Sequence, residues 1–251
     1  MNLYLNGVED FSIACADTLE HPAFLDGSHL RKFDIVLANP PYSIKEWNRE
    51  KFMNDKWGRN FLGTPPQGRA DYAFLQHIIA SMNETQGRCA ILFPHGVLFR
   101  DEELELRKKL VEIDILDCII GLGANLFYNS PMEACILICN CSKANSKKNR
   151  VLMINAVNEV TRKNAESMLL AEHIQKIVNA YQQNRELDGF SRIVSNDEIR
   201  EKKFNLNISL YAYQSVLQDA LTVSKEDAIN VWISSHSQCI NEMDELIKLI
   251  K

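Results

Sequence analysis

The sequence predicts an α/β protein built on a mostly parallel sheet, and three observations support this class. Short apolar runs alternate with helical patterns through the first half of the chain, as in successive βαβ units. The apolar runs are continuous, which is typical of strands buried on both faces of a sheet. At 251 residues with 46% hydrophobic composition, the chain is large enough to bury a substantial core.

The predicted elements follow one another in a regular order. The segments with strand composition are Ser12–Cys15, Ile35–Ala38, Cys89–Phe93, Ile115–Ile120, Ala134–Ile138 and Val151–Ile154. Helical periodicity covers Tyr72–Met82 and Glu102–Ile113. The polar, basic segment Ser142–Arg150 predicts a solvated loop, so we expect the two strands flanking it to form an antiparallel hairpin.

The pattern changes in the last third of the chain. Helical periodicity dominates from Lys163 onward, and Ile240–Ile250 forms an amphipathic pattern that suits packing back or docking on a partner helix. We therefore expect two regions, an α/β domain over residues 1–160 and a helical region over residues 161–251.

Composition excludes several classes of protein. A net charge of −5 argues against a protein that holds nucleic acid by bulk charge alone. The seven cysteines are odd in number and contain no Cys-x-x-Cys pair, so neither a disulfide framework nor a metal site is expected. The sequence has neither a signal-peptide pattern nor an apolar run of ~18 residues, so we expect a cytoplasmic protein without membrane contact.

The most informative segment is Asn39-Pro40-Pro41-Tyr42, directly after the predicted strand Ile35–Ala38. Two consecutive prolines fix two φ angles and remove two backbone donors, so the strand must end in a stiff turn. Open α/β sheets bind their ligands at the carboxyl ends of their strands. This turn offers an amide side chain, a free carbonyl and an aromatic ring, a set that suits a planar group carrying an NH2.

The turn also suggests a reaction. The Asn39 side-chain oxygen and the Pro40 carbonyl can each accept one N–H of an exocyclic amine, which favours a pyramidal nitrogen with a free lone pair. Tyr42 can stack on the ring that carries the amine. Catalysis by such a site depends on geometry and charge placement and requires no strong base.

The segment Ser43–Asp71 has no convincing periodicity over nearly thirty residues. Loops of this length in compact domains are usually functional. Aromatic residues, Trp47 and Trp57 among them, alternate here with lysines and arginines. We expect a lid or DNA-facing loop, since stacking and phosphate contact use these residue types.

The turn resembles the catalytic motif of the N6-adenine DNA methyltransferases, and the surrounding residues resemble the modification (M) subunit of type I restriction-modification systems. The matching segments, in order, are Ala16–Leu19, Phe33–Tyr42, Ala70–Leu75, Gly87–Arg100, Leu126–Tyr128 and Phe204–Tyr211. The resemblance implies site-specific DNA adenine N6-methylation with S-adenosyl-L-methionine. It also implies a Rossmann-like α/β methyltransferase sheet, here truncated at its N-terminal strands, with a helical C-terminal extension. Residues 1–160 would then be a partial methyltransferase catalytic domain, and residues 161–251 a helical region for subunit or DNA contact.

The resemblance assigns roles to individual residues. Asn39, Pro40 and Tyr42 correspond to the residues that bind and activate the target adenine. Pro41 and Phe127 correspond to substrate contacts, with Phe127 stacking on the other face of the flipped base. Asp17, with Thr18 beside it, corresponds to the acidic residue that contacts the adenine amine of S-adenosylmethionine. A plain turn aspartate is the alternative interpretation of Asp17.

The chain departs from the family pattern in one respect. The family's glycine-rich cofactor loop, and the acidic residue that grips the ribose, are expected many tens of residues before Asp17, and the sequence shows neither. Gly121-Leu122-Gly123 is a weak substitute, because a lone Gly-x-Gly is common. We therefore expect this chain to hold the target-adenine half of the site and to be incomplete alone.

The partners implied by the resemblance are DNA, a specificity (S) subunit, a second M subunit and, as an optional further partner, an R subunit. The S subunit would read the DNA target, which this sequence does not specify. Two alternatives stay open. One is a non-catalytic truncated or split subunit that acts in assembly, and the other is a methyltransferase for an RNA base or a glutamine side chain.

Overall fold

The computed structural model describes residues 2–127, 131–163 and 166–213. Its helices are α1 Asn2–Leu5, α2 Arg49–Met53, α3 Asp71–Ala80, α4 Leu104–Glu112, α5 Ala171–Gln183 and α6 Asn196–Glu201. Its strands are β1 Leu25–Asp26, β2 His29–Leu30, β3 Ile35–Ala38, β4 Arg88–Pro94, β5 Leu116–Leu122, β6 Ala134–Asn140, β7 Arg150–Ala156, β8 Thr161–Lys163, β9 Glu166–Met168 and β10 Ser191–Ser195. None of the helices within these ranges is long and apolar enough to cross a bilayer.

The central sheet has the strand order β10-β7-β5-β6-β4-β3. β3 is parallel to β4 and β5 is parallel to β7, whereas β6 is antiparallel to both of its neighbours. β10 is antiparallel to β7 and closes one side of the sheet. β3, β4, β5 and β7 therefore share one direction, and their ends meet at one side of the sheet, here named the carboxyl edge.

The core lies on both faces of this sheet. All seven residues of β5 are buried, which explains its continuous apolar sequence. On one face, Leu75 of α3, Leu110 of α4 and Ile199 of α6 pack with the strands into the larger cluster. On the other face, Ile177 and Ala180 of α5 cover β5 and β7. Helices on both faces of a mixed sheet confirm the predicted α/β class.

β3 was predicted to be a buried strand, and this is wrong within the described residues. There it pairs only with β4 and forms an edge of the sheet. Val36 and Ala38 pack against the larger cluster, but Ile35 and Leu37 are 59% and 78% exposed. The uncovered face results from the position of α5, which lies over the opposite end of the sheet.

Two further predictions of strand structure are wrong. Ser12–Cys15 is not a strand, since nothing in the described ranges pairs with it and its side chains are exposed. β6 and β7 do not form a hairpin, because β5 lies between them and pairs with both. The connecting loop is also less solvated than expected. Lys143 is buried, and its Nζ lies 2.7 Å from Asp114 Oδ1.

The region after residue 160 is mixed rather than purely helical. It contributes the small hairpin β8–β9, the predicted helix α5, and β10, which belongs to the central sheet. Residues Met1–Tyr213 form one compact unit, so the expected boundary at residue 160 does not coincide with a break in the sheet. The amphipathic segment Ile240–Ile250 lies outside the described residues.

Candidate active site

The turn that follows β3 lies at the carboxyl edge of the sheet, as the sequence predicts. Asn39 is exposed, and its side chain forms no hydrogen bond with any other described residue. Pro40 is buried, Pro41 is exposed and Tyr42 is half-buried. The turn is therefore anchored in the protein at Pro40 while the amide of Asn39 stays free to accept from a ligand.

The residue after the turn is held by a long-range contact. Ser43 has a φ of 49°, a left-handed conformation that is uncommon for a residue other than glycine. Its backbone N–H donates to Asp71 Oδ1 at 2.8 Å, at the start of α3. This hydrogen bond fixes the direction in which the chain leaves Tyr42.

A cavity of about 510 Å³ lies beside the turn. Thr18, Asn39, Pro40 and Pro41 line it together with apolar side chains such as that of Phe24. Its volume is within the range of small-molecule sites. The structure thus brings one predicted cofactor residue, Thr18, to the same cavity as three residues of the predicted substrate turn. Tyr42, Asp17 and Phe127 do not line this cavity.

Asp17 is exposed and supports a turn of its own chain. Its Oδ1 accepts from the backbone N–H groups of Leu19 and Glu20, both at 2.9 Å. The alternative interpretation of Asp17 as a turn residue therefore has a structural basis. Its contact with a cofactor stays a prediction, and Oδ2 is the carboxylate oxygen that the turn does not use.

Phe127 lies in the connection from β5 to β6, at the carboxyl edge that also carries the turn. It is half-buried and packs against the cluster on the α5 face. The glycines before it have a packing role. A Cβ at Gly121 would lie 2.8 Å from Ile208 Cδ1, and one at Gly123 would lie 2.6 Å from the Val157 carbonyl. These two close approaches explain why glycine occupies positions 121 and 123, so a cofactor-binding loop is not needed to account for them.

The segment Ser43–Asp71, which the sequence predicts to be a lid or DNA-facing loop, is tied down by the buried side chain of Arg59. Arg59 is 1% exposed and pairs with Asp55 Oδ1 at 2.7 Å. Its guanidinium also donates to the carbonyls of Thr18 and Leu19 at 2.9 and 2.6 Å. The i, i+4 spacing of Asp55 and Arg59 was the available sequence signal. Arg59 thus ties the loop after the turn to the Asp17–Leu19 turn.

Burial shifts the pKa values of Tyr42, His77 and His95 in the direction that favours their neutral forms. Desolvation, with a smaller contribution from the Cys135 thiol, raises the pKa of Tyr42, so its ring meets a ligand as a neutral phenol. Burial, together with the Arg59 charge, lowers the pKa of His77 to about 4. Burial also lowers the pKa of His95, with Glu133 opposing it. Both histidines are therefore neutral at physiological pH.

Comparison with known proteins identifies the family. The model of the N-6 DNA methylase family matches residues 1–220. The chain belongs to the N-6 DNA methylase family. Its relatives include a type I restriction enzyme methylase subunit of Methanocaldococcus jannaschii, which is 33% identical over 241 aligned residues. That alignment covers 90% of this chain and 40% of the relative. A Mycoplasma pneumoniae methylase subunit of the same kind is 30% identical over 89% of this chain and 42% of its own length.

Solved structures give the same relationship. The type I restriction-modification methyltransferase subunit of Streptococcus thermophilus is 36% identical, with a TM-score of 0.75 over 84% of this chain and 45% of that one. The N-6 DNA methylase chain described here therefore spans less than half the length of these relatives. The predicted family and the methyltransferase fold are confirmed.

Proposed function

We propose that this chain carries the adenine-binding half of a type I DNA methyltransferase and takes part in N6-methylation of adenine in DNA. The observation that carries the proposal is the Asn39–Tyr42 turn, anchored at the carboxyl edge beside a cavity shared with Thr18. Relatives that are at least 30% identical over most of this chain are named as methylase subunits of type I restriction enzymes.

The turn's own groups perform the steps on the substrate side. Asn39 Oδ1 and the Pro40 carbonyl accept the two N–H groups of the adenine amine and hold its nitrogen with the lone pair free. The neutral ring of Tyr42, with Phe127 as the proposed second stacking side chain, would offset the few kcal/mol needed to flip the base, since stacking contributes about 1–3 kcal/mol per base. The amine loses its proton only after it becomes cationic, so no strong base is needed.

The cofactor proposed here is S-adenosylmethionine, which supplies an electrophilic methyl group when bound. Thr18 in the cavity wall and the unused Asp17 Oδ2 suit the adenine end of this cofactor, and the cavity volume fits a group of that size. The sequence lacks a glycine-rich motif of the family's form before Asp17. The exposed side chains of Ile35 and Leu37 line this same cavity. A further cofactor-binding segment would pair with β3, which forms an edge of the sheet among the described residues.

The proposed partners are DNA, a specificity subunit, a second methyltransferase subunit and, as an optional partner, an R subunit, all in the cytoplasm. Delegation of DNA recognition to the specificity subunit agrees with the net charge of −5. The amphipathic segment Ile240–Ile250 is proposed as the docking element for that subunit. Deletion of residues 215–251 should abolish pull-down of the specificity subunit, and undiminished binding would contradict this role.

Methyl transfer tests the function directly. The chain, its specificity subunit and the cofactor-binding segment would be combined with labelled S-adenosylmethionine and, side by side, with DNA, RNA and protein acceptors. Asn39→Ala should abolish labelling of adenine N6 in DNA, because it removes one of the two acceptors. Asn145→Ala is the matched control, since Asn145 is exposed on the loop at the opposite edge of the sheet.

Three outcomes would count against the proposal. Label on RNA or protein in place of DNA would show a different acceptor. Equal activity of the Asn39→Ala and Asn145→Ala complexes would remove the turn from the reaction. Micromolar S-adenosylmethionine binding by this chain alone, measured by calorimetry, would contradict the division of the site between two segments.

A further inference from the structure

The turn has a second anchor that lies far from it in sequence. The Asp71 side chain is completely buried, and its two oxygens accept from the backbone N–H and the hydroxyl of Ser43 at 2.8 and 3.4 Å. Pro40 is buried at the other end of the same short segment. Pro41 and Tyr42 are therefore held between two fixed points. The position of the Tyr42 ring depends on both.

Asp71 is itself held by Arg100. Arg100 Nη1 lies 2.9 Å from Asp71 Oδ2 and donates to the same oxygen that accepts from the Ser43 hydroxyl. The guanidinium fits closely over Gly96, where a Cβ would lie 2.5 Å from Arg100 Nε. The Arg100 carbonyl accepts from Arg107 Nη1 at 2.5 Å, and Arg107 is 1% exposed. This chain of contacts runs from α4 through Arg100 and Asp71 to the turn.

A competing carboxylate shares the arginine. Glu103 Oε2 lies 3.6 Å from Arg100 Nη1. Both carboxylate oxygens of Glu103 are buried and lack a hydrogen-bond partner among the described residues. A buried carboxylate without such partners costs free energy, and a core that served stability alone would not need it. Arg100 therefore donates its hydrogen bond to Asp71, and Glu103 beside them is left without a hydrogen-bond partner among the described residues.

We propose that Asp71 and Arg100 are positioning residues for methyl transfer: they hold Ser43 and so set the position of Tyr42 and Asn39 relative to the bound base. The proposal rests on the proposed function of the turn. A displacement of about 1 Å at a reacting centre can reduce a rate about a hundredfold. Loss of the Asp71–Arg100 pair should therefore lower kcat about tenfold to a hundredfold and leave the KM for cofactor and DNA nearly unchanged.

Isosteric and conservative variants separate positioning from folding. Asp71→Asn keeps the shape and removes the charge that Arg100 pairs with, and Arg100→Met removes the donor. Arg100→Lys keeps a cation and should recover most of the rate. The matched control is Asp117→Asn. Asp117 is equally buried, pairs with Lys147 at 3.4 Å and accepts from Tyr181 at 2.9 Å, but lies at the opposite edge of the sheet.

The variants are assayed in the reconstituted complex for kcat and KM, and in this chain for thermal unfolding and amide hydrogen exchange at Ser43. We expect Asp71→Asn and Asp117→Asn to lower Tm alike, while only Asp71→Asn lowers kcat and speeds exchange at Ser43. Equal kcat values for the two variants would overturn the proposal, as would a kcat for Arg100→Lys no higher than for Arg100→Met.

The test also separates this proposal from the function beneath it. An assembled wild-type complex that binds DNA but transfers no methyl group would overturn the proposed function and, with it, any catalytic positioning. If the Ser43 amide were then protected from exchange in the wild type but not in Asp71→Asn, Asp71 would be only a structural anchor of the turn. An active wild-type complex with unchanged kcat in Asp71→Asn overturns the positioning alone.

Discussion

Replacing Arg59 by methionine tests whether one buried side chain orders the loop after the turn. The Arg59 side chain makes five hydrogen bonds: two to Asp55 Oδ1, one each to the Thr18 and Leu19 carbonyls, and one to His77 Nδ1. Methionine keeps most of the volume and removes all five. Asp55, whose side chain is 2% exposed, would be left as a buried carboxylate without its cation. Such a loss typically costs about 3–5 kcal/mol.

That cost can be measured and its origin assigned. Urea denaturation should show a fall in unfolding free energy of about 3–5 kcal/mol, and limited proteolysis should cut between residues 43 and 70. The control Arg49→Met removes a single hydrogen bond, from Arg49 Nε to the Pro65 carbonyl, and should cost about 1 kcal/mol.

The pair itself is tested by a double variant. Asp55→Asn combined with Arg59→Met removes the unpaired charge and should recover part of the loss, so the two changes are not additive. A cost of 1 kcal/mol or less for Arg59→Met, with the loop still protected from proteolysis, would refute the reasoning. It would show that the apolar contacts of the loop, and not the buried arginine, determine its order.

The remaining predictions concern pH. Burial raises the pKa of Glu103 to about 7 from 4.5, so its contribution to stability is complete below pH 4.5 and is lost as the pH rises through 7. The charged groups facing it are Arg100, Asp71, Arg107 and Arg69. Between pH 4 and pH 8, the unfolding free energy of the Glu103→Gln variant, measured by urea titration, should therefore fall by about 3 kcal/mol less than that of the wild type. His77 has the opposite sign: its lowered pKa gives stability above pH 6.5 that is lost as the pH falls through about 4. His77→Gln should show a smaller loss of Tm between pH 6.5 and pH 4.

The sheet was predictable where burial on both faces leaves a continuous apolar sequence. β5 is a strand of this kind, since all seven of its residues are buried and its apolar run was recognised from the sequence. β10 has only two apolar residues in five, so it was not predicted, and its helical surroundings obscured it. The false hairpin arose because neighbours in sequence were assumed to be neighbours in the sheet, whereas β6 inserts between β4 and β5.

The candidate site divides in the same way into local and long-range parts. The turn could be predicted because two prolines act on their own backbone. Its second anchor could not, since Asp71 is 28 residues from Ser43 and Arg100 is 29 residues from Asp71. Arg59 was misassigned for a related reason. A cation among aromatics suits both a DNA-facing surface and a buried pair, and only the fold decides between them.

The distribution of rigidity around the turn is the one that the proposed reaction requires. Asn39 is free of protein hydrogen bonds within the described residues, while Pro40 before Tyr42 is buried and Ser43 after it is bonded to Asp71. An acceptor that must meet an amine has to be unoccupied, yet it has to be preorganised if it is to favour the transition state. Anchors on the neighbouring residues satisfy both conditions, because they fix the backbone without using the amide. The buried Asp71–Arg100 pair and the exposed Asn39 amide thus have complementary roles. A substitution in the pair should reduce methylation by displacing the turn, and a substitution of Asn39 should reduce it by removing a contact with the amine.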